Sequence, residues 1–131
     1  MKVIQTLKSF FRIFFGVLVG LFIASLFLPS CLFFPSKDFL DISFPHEEVF
    51  FKAENGGEVN AWYVPPKNDL PTIIFSHGNG GNISYFFSMM IPVAEKGYGV
   101  LVYDYRGYGK SKGFTTENSM YDDLRGAVKF V

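Results

Sequence analysis

The chain has 131 residues, 49% of them hydrophobic and 19% aromatic, which excludes a disordered or collagen-like chain and suits about one folded domain. Twelve Lys and Arg balance twelve Asp and Glu, so no net field recruits nucleic acid. A single cysteine, Cys31, excludes an internal disulfide framework and any cysteine-based zinc cluster.

The balance hides an uneven chain. Residues 1–36 carry Lys2, Lys8 and Arg12 and no carboxylate, which leaves residues 37–131 with nine bases against twelve acids. From Ile13 to Phe34 the chain runs 22 residues without a charge. At about 1.5 Å per residue that is ~33 Å of helix, near the ~30 Å hydrocarbon thickness of a bilayer. Pro29 has no backbone N–H and is expected to end or kink this helix.

Three readings of residues 1–34 compete. A retained single-pass anchor is favoured, because the uncharged stretch reaches past Pro29 and no A-x-A-like cleavage site follows it. A cleaved lipoprotein signal is the second, since Leu28-Pro29-Ser30-Cys31 places a small residue before a cysteine that a lipid could modify. A buried core helix is the third. The first two make the lipid bilayer a partner. The early positive charges keep the amino terminus cytoplasmic and send the soluble part across.

Residues 35–46 hold two prolines and no sustained period, and read as a linker. Residues 47–131 follow as the soluble domain. Glu47 to Ala53 and Glu58 to Val64 are strand-like, and Asn55, Gly56 and Gly57 between them suit a hairpin turn. Thr72 to Ser76 is a short β-branched run of the kind covered on both faces of a sheet. Asn82 is placed to cap a helix over 83–96, which Gly97 ends and Pro92 kinks or splits. Val100 to Tyr103 is a second buried strand. A helix from about Thr116 follows, with Tyr121, Leu124, Val128 and Val131 as its apolar stripe and with Asp122 and Asp123 facing solvent. A hairpin followed by strand, helix, strand, helix begins a mainly parallel α/β sheet. Two parallel strands and an edge hairpin cover each other poorly, so the domain is expected to be incomplete.

Two constellations carry the chemistry. Ser76-His77-Gly78-Asn79-Gly80-Gly81-Asn82 lies between a strand and a helix start, where glycines let backbone N–H groups turn toward an anion or a developing oxyanion. A tight turn that needs glycine for geometry alone is the plain alternative. A dinucleotide fingerprint fails at Ile83, and a Walker A loop fails at Asp104. The second constellation, Asp104-Tyr105-Arg106-Gly107-Tyr108-Gly109-Lys110-Ser111, contains a literal G-x-S-x-G over 109–113. An elbow nucleophile needs a strand running straight into that first glycine and a histidine later in the chain. Asp104 to Tyr108 intervene, and His46 and His77 both lie upstream, so Ser111 is not the expected nucleophile. His46 has no evident partner.

TIIFSHGNGGNISYFF followed by GVLVYDYRGYGKSKG resembles the α/β-hydrolase superfamily, most of all its membrane-anchored, serine-aminopeptidase-like branch. The resemblance covers about 33–131. It implies the N-terminal half of an α/β-hydrolase sheet, with TIIFS as third strand and VLVY as fourth. It implies a serine hydrolase of esters, thioesters or amides working through an acyl-enzyme without metal or cofactor, on a small-molecule or acylated substrate. The backbone N–H of Asn79 matches one half of the oxyanion hole, with Gly80 as second candidate. His77, Gly78, Asp104 and Arg106 match loop-organising positions. The triad serine, acid and histidine are expected beyond Val131, so that the chain alone is inactive. The rival reading is a non-catalytic, membrane-tethered α/β binding module.

Overall fold

The computed structural model describes residues 2–131, with side chains for 4–25 and 32–131, and divides into two units, Met1–Leu32 and Phe33–Val131. The first unit is one helix, α1 (Lys2–Cys31). Its stretch Ile4–Ser25 has a mean hydropathy of 1.9 over an 18-residue window and no burial, so it is long and apolar enough to cross a membrane. The helix begins well before Ile13 and continues two residues past Pro29, which closes the last turn and does not cut the span. Lys8 and Arg12 are accommodated because long unbranched side chains lose little freedom in a helix. The expected lipid acceptor, Cys31, lies outside the described side chains.

The second unit is a four-stranded sheet of order β1-β2-β4-β3 with helical segments on both faces. Strands β1 (Glu47–Lys52) and β2 (Glu58–Val64) form the hairpin, with Val49 opposite Ala61. The turn is closed by Ala53 N donating to Gly57 O at 2.7 Å, with Gly56 at φ +88°, a region that favours glycine. Strand β4 (Gly99–Tyr103) pairs antiparallel with β2, and parallel with β3 (Thr72–Ser76) on its other side. Every residue of β4 is buried, as its central place requires.

Strand β3 departs from expectation. It is an edge strand, and Ile73 is 38% exposed, so TIIFS is not covered on both faces among the described residues. Its apolar composition suits a central strand, but only β4 pairs with it.

Alternation along the strands sorts two cores. Leu101 and Tyr103 of β4 join Phe51, Val59, Ala61, Tyr105, Tyr108 and Ala127 on one face. Val100 and Val102 join Trp62, Ile83, Phe87, Met90 and Ala94 on the other. At roughly 1.5–3 kcal/mol for each large apolar side chain fully buried, these two layers supply the main favourable free energy of the fold.

The segment over 83–96 is split, as Pro92 suggested, but the break comes earlier. Helix α2 (Ile83–Phe86) passes into a 3-10 turn (Phe87–Met90) and then α3 (Ile91–Glu95). Pro92 falls in the first turn of α3, where its missing N–H costs nothing. Asn82 caps α2, accepting from Ser84 N at 3.0 Å, and Gly97 at φ +95° follows the end of α3.

Helix α4 (Glu117–Phe130) starts on Thr116, which forms a reciprocal capping box with Ser119. The face it buries is not the expected one. Ser119, Asp123, Gly126 and Ala127 point inward, whereas Tyr121, Leu124, Val128 and Val131 are 39% to 59% exposed. Gly126 decides this: a Cβ there would stand 2.5 Å from Lys52 O and 2.7 Å from Ala53 Cα. The helix therefore rides directly on the backbone of the β1–β2 turn, along its smallest residues.

Residues 35–46 contain no helix or strand beyond one bridge from Pro35 to Gly81, yet Phe39, Ile42 and Phe44 pack against the Trp62 core. His46, which had no evident partner, packs its ring at a tilt against Trp62, 4.1 Å between ring centres, and Phe87, 5.0 Å away. Its Nδ1 lies 2.8 Å from Phe44 O.

Candidate functional site

Parallel pairing of β3 with β4 puts the carboxyl ends of both strands side by side, Ser76 opposite Tyr103. The loops that leave them, 77–82 and 104–116, therefore meet. This is where α/β sheets place their ligand crevices. The Ser76 hydroxyl and the Tyr103 phenol lie 2.7 Å apart at the junction.

His77 follows immediately and is 3% exposed. Its ring stacks on Phe86 at 5.1 Å with planes only 12° apart, and Tyr105 and Tyr108 close the other sides at 4.8 and 5.2 Å. Nδ1 is 2.7 Å from Gly78 O, while Nε2 lies 3.2 Å from Asp104 Oδ1. That second approach is close but not a hydrogen bond of good geometry, since Nε2 has no hydrogen-bond partner among the described residues. The ring is held by both its neighbours and its own loop.

Asp104 is wholly buried. Its Oδ1 accepts from Ile83 N, the first amide of α2, at 2.9 Å, and its own N donates to Asn60 O. Burial pushes its carboxyl above the ordinary aspartate range, and the nearby His77 and the Ile83 amide offset part of that rise. Gly109, at φ +44°, fits against this carboxylate so closely that a Cβ would stand 1.9 Å from Oδ2. Lys37 secures the same loop from outside, donating to Gly109 O at 2.6 Å.

Arg106 lies on a different side of the loop. Its Nε donates to Asp123 Oδ1 at 2.6 Å and its backbone N to Asp123 Oδ2 at 2.9 Å. The guanidinium also reaches Asn55 Oδ1 at 2.8 Å and Ser119 O at 3.0 Å. One side chain thus ties the hairpin turn, the loop after β4 and α4 together. Asp123 is fully buried here, which corrects the expectation that it faces solvent. Its position near the helix start does not reveal the guanidinium that pairs with it. Burial raises its carboxyl, and Arg106 opposes the rise from backbone and side chain.

Asn79 presents its side chain to the second loop. Oδ1 accepts from the Tyr108 hydroxyl at 2.7 Å and from Phe34 N at 3.1 Å. The backbone amides of Gly80 and Phe34 also face the Tyr108 oxygen, and they offset the upward push of burial on that phenol. Gly80 and Gly81 take φ of +92° and +70°, conformations that L side chains rarely adopt.

His77, Gly78, Asn79, Tyr105, Tyr108, Phe33 and Met120 line a pocket of about 180 Å³. Its walls are mainly apolar. Gly80 is not among the lining residues, and Asp104 and Arg106 stand behind the wall. Ser111 is 3% exposed, donates to Asp104 O at 2.7 Å and takes Asn60 N at 2.8 Å, so its hydroxyl is fully used as a structural tie. Among the described residues, no three His, Cys, Asp or Glu side chains gather where they could hold a metal ion.

Tyr105, Tyr108 and Asn60 do not stand out in the sequence as site residues. Tyr105 closes the pocket and donates to His77 O at 3.1 Å. Two tyrosines three apart in a glycine loop, following a buried strand, were the available signal.

Residues 71–131 match the family described as the alpha/beta hydrolase fold. Escherichia coli K12 YfhR, described as an uncharacterized protein, is 36% identical over 90 residues, covering 65% of this chain and 32% of that protein. The Saccharomyces cerevisiae protein YNL320W, described as an uncharacterized membrane protein, is 31% identical over 77 residues, covering 58% of this chain and 27% of that one. The chain spans about a third of the length of these curated relatives. Among solved structures, the Pyrococcus furiosus esterase Pf2001 superposes with a TM-score of 0.63 at 25% identity, covering 76% of this chain and 41% of the esterase.

Proposed function

On the premise that this chain carries the α/β-hydrolase fold, we propose that it is the N-terminal part of a membrane-anchored serine hydrolase, of the serine-aminopeptidase-like branch. The enzyme cleaves esters, thioesters or amides through an acyl-enzyme. The observation that carries this reading is the pocket at the carboxyl ends of β3 and β4, lined by Gly78 and Asn79 of the glycine loop.

In that reading the backbone N–H of Asn79 is one oxyanion donor. Acyl transfer builds negative charge on a carbonyl oxygen, and a positioned N–H stabilises it by roughly 3 kcal/mol. Asn79 is favoured over Gly80 because Asn79 lines the pocket and Gly80 does not. His77 does not serve as base. Its ring is enclosed by Phe86, Tyr105 and Tyr108, and it positions the loop. Ser111 is likewise not the nucleophile, because its hydroxyl is committed to Asp104 and Asn60. Nucleophile, base and orienting acid therefore come from sequence other than these 131 residues. Helix α1 holds the enzyme in the bilayer, with its amino terminus cytoplasmic and the soluble part on the far side.

A fluorophosphonate probe tests this directly. Residues 1–131 should not be labelled, and labelling that disappears in Ser111→Ala would overturn the assignment. Reading the gene beyond codon 131 is the second arm. An apolar strand ending in G-x-S-x-G is expected within about 25 residues, followed by an acid and then a histidine.

A further inference from the structure

The pocket at the carboxyl ends of β3 and β4 limits what can enter it by both size and chemistry. About 180 Å³ lies open among Phe33, His77, Tyr105, Tyr108 and Met120, with a mainly apolar lining. No Asp, Glu, Lys or Arg is among the described residues that line it. Both tyrosine hydroxyls and one histidine nitrogen are already engaged. Tyr105 donates to His77 O at 3.1 Å, Tyr108 donates to Asn79 Oδ1 at 2.7 Å, and His77 Nδ1 lies 2.7 Å from Gly78 O. A charged group entering this space gives up its hydration and meets no countercharge on the lining.

We propose that this pocket takes one uncharged apolar group of the substrate, about the size of a benzene ring, beside the carbonyl that is cleaved. The inference rests on the serine-hydrolase reading, in which the Asn79 N–H is an oxyanion donor, and Gly78 and Asn79 line the same pocket. An apolar cavity of about 150 Å³ holds one benzene, which sets the scale for a pocket of this volume. A long fatty chain leaves most of its length outside.

The lining residues also favour a ring over a chain. His77, Tyr105 and Tyr108 are buried and pack on one another, with ring centres 4.8, 5.2 and 6.1 Å apart, so this side is fixed in shape. Phe33 and Met120 are half-buried, and a methionine adapts its shape and makes favourable contacts with aromatic rings. A ring enters such a space as a rigid body, whereas an alkyl chain gives up rotamer freedom to fit.

The test uses the full chain in lipid nanodiscs with carbon-13 methionine methyls, each ligand's free concentration being fixed by dialysis. Met120 reports the pocket, Met90 the opposite core and Met89, 63% exposed, the outer surface. Benzyl alcohol should shift the Met120 methyl saturably and leave Met89 and Met90 in place. Benzoate and benzylammonium should bind at least ~10-fold more weakly. 2-Naphthylmethanol should gain nothing from its extra carbons, against about fourfold for each carbon buried in a larger site. Gly78→Leu should abolish the shift, because nothing stands within 4 Å of a Cβ there and the new side chain has room to fill the space. An unchanged Met90 methyl shows that this variant keeps its fold, and the wild-type ligand series decides the matter if it does not. Benzoate binding as tightly as the alcohol, a naphthyl ligand gaining the full increment, or a Met120 methyl that stays still while Met89 moves would each overturn the assignment. Such a failure leaves the hydrolase reading to its own probe and gene tests. A fluorophosphonate label that depends on Ser111 overturns that reading instead, and removes the substrate role while the binding curve stands.

Discussion

Replacing Arg106 by methionine keeps most of the apolar stem and deletes the guanidinium, leaving Asp123 buried without its charged partner. The side chain is only 11% exposed, so solvent cannot substitute for it. It loses the 2.6 Å bond to Asp123, the 2.8 Å bond to Asn55 and the 3.0 Å bond to Ser119 O. Breaking a buried pair from one side costs about 3–5 kcal/mol. Asp123 retains the Arg106 backbone N–H at 2.9 Å and can bind a proton, which places the expected loss near the lower end, about 3 kcal/mol. Whole domains are stable by only ~5–15 kcal/mol, so this single change removes a large share. Arg106→Lys keeps charge but not the fork, and should lose about 1–3 kcal/mol. Urea unfolding in detergent, followed by fluorescence of Trp62, reads the difference because that indole is 6% exposed and is the chain's one tryptophan. The sign with pH is also fixed. Asp123 has its carboxyl raised in the fold, so its contribution is complete below the ordinary aspartate pKa and is lost as pH rises through the folded value. Without Arg106 that loss should steepen. Removing both partners, as Arg106→Met with Asp123→Leu, should recover much of the deficit. A single mutant within about 1 kcal/mol of wild type, or a double mutant no better than the single, would refute the clamp.

Three further outcomes follow from the same loops. Gly109→Ala drives a Cβ to 1.9 Å from Asp104 Oδ2 at a positive φ, and should cost roughly 2–4 kcal/mol in the same unfolding assay. Asp104→Asn should match wild type in stability below about pH 4, where both side chains are neutral, and gain on it as pH rises, because the raised carboxyl loses its contribution through the folded pKa; a gap that narrows toward neutral pH would contradict this. Ser111→Ala orphans the Asn60 amide and should cost about 1–3 kcal/mol while leaving fluorophosphonate reactivity of any longer form of the protein unchanged.

Much of this fold is legible because its signals are local. The hairpin, both parallel strands and the Asn82 cap follow from alternation, β-branching and one Asx side chain, all read within a few residues. What the sequence hid was set by contacts distant along the chain. Tyr121, Leu124 and Val128 have helical spacing and apolar chemistry, yet they face outward because Gly126 brings the opposite face onto the Lys52–Ala53 backbone. A pattern of large apolar residues cannot weigh the closer approach that a small residue permits. Asp123 reads as a solvent-facing residue for the same reason, since its partner lies 17 residues upstream in a loop. Its motif neighbour was legible: Arg106 stood out, although not the carboxylate that holds it. His46 needed Trp62 and Phe87, which come from two other segments.

The candidate site shows what the buried polar groups accomplish. Asp104 carries a real cost: it is fully enclosed, its Oδ2 has no hydrogen-bond partner among the described residues, and burial raises its carboxyl. An apolar residue of similar volume would remove that cost. It would also release the Ile83 amide at the start of α2 and change the close contact with His77 Nε2 at 3.2 Å. Those two points flank the stretch 78–82 on either side, so Asp104 fixes both ends of the glycine loop from beneath. Tyr108 fixes its middle through Asn79 Oδ1. Glycine gives the loop its positive φ angles and the freedom to wander from them; the aspartate and the tyrosine remove that freedom. Under the proposed oxyanion role, a backbone donor would have to be held to within about 0.5 Å, and stability spent on an unpaired buried oxygen would be the physical means of holding it.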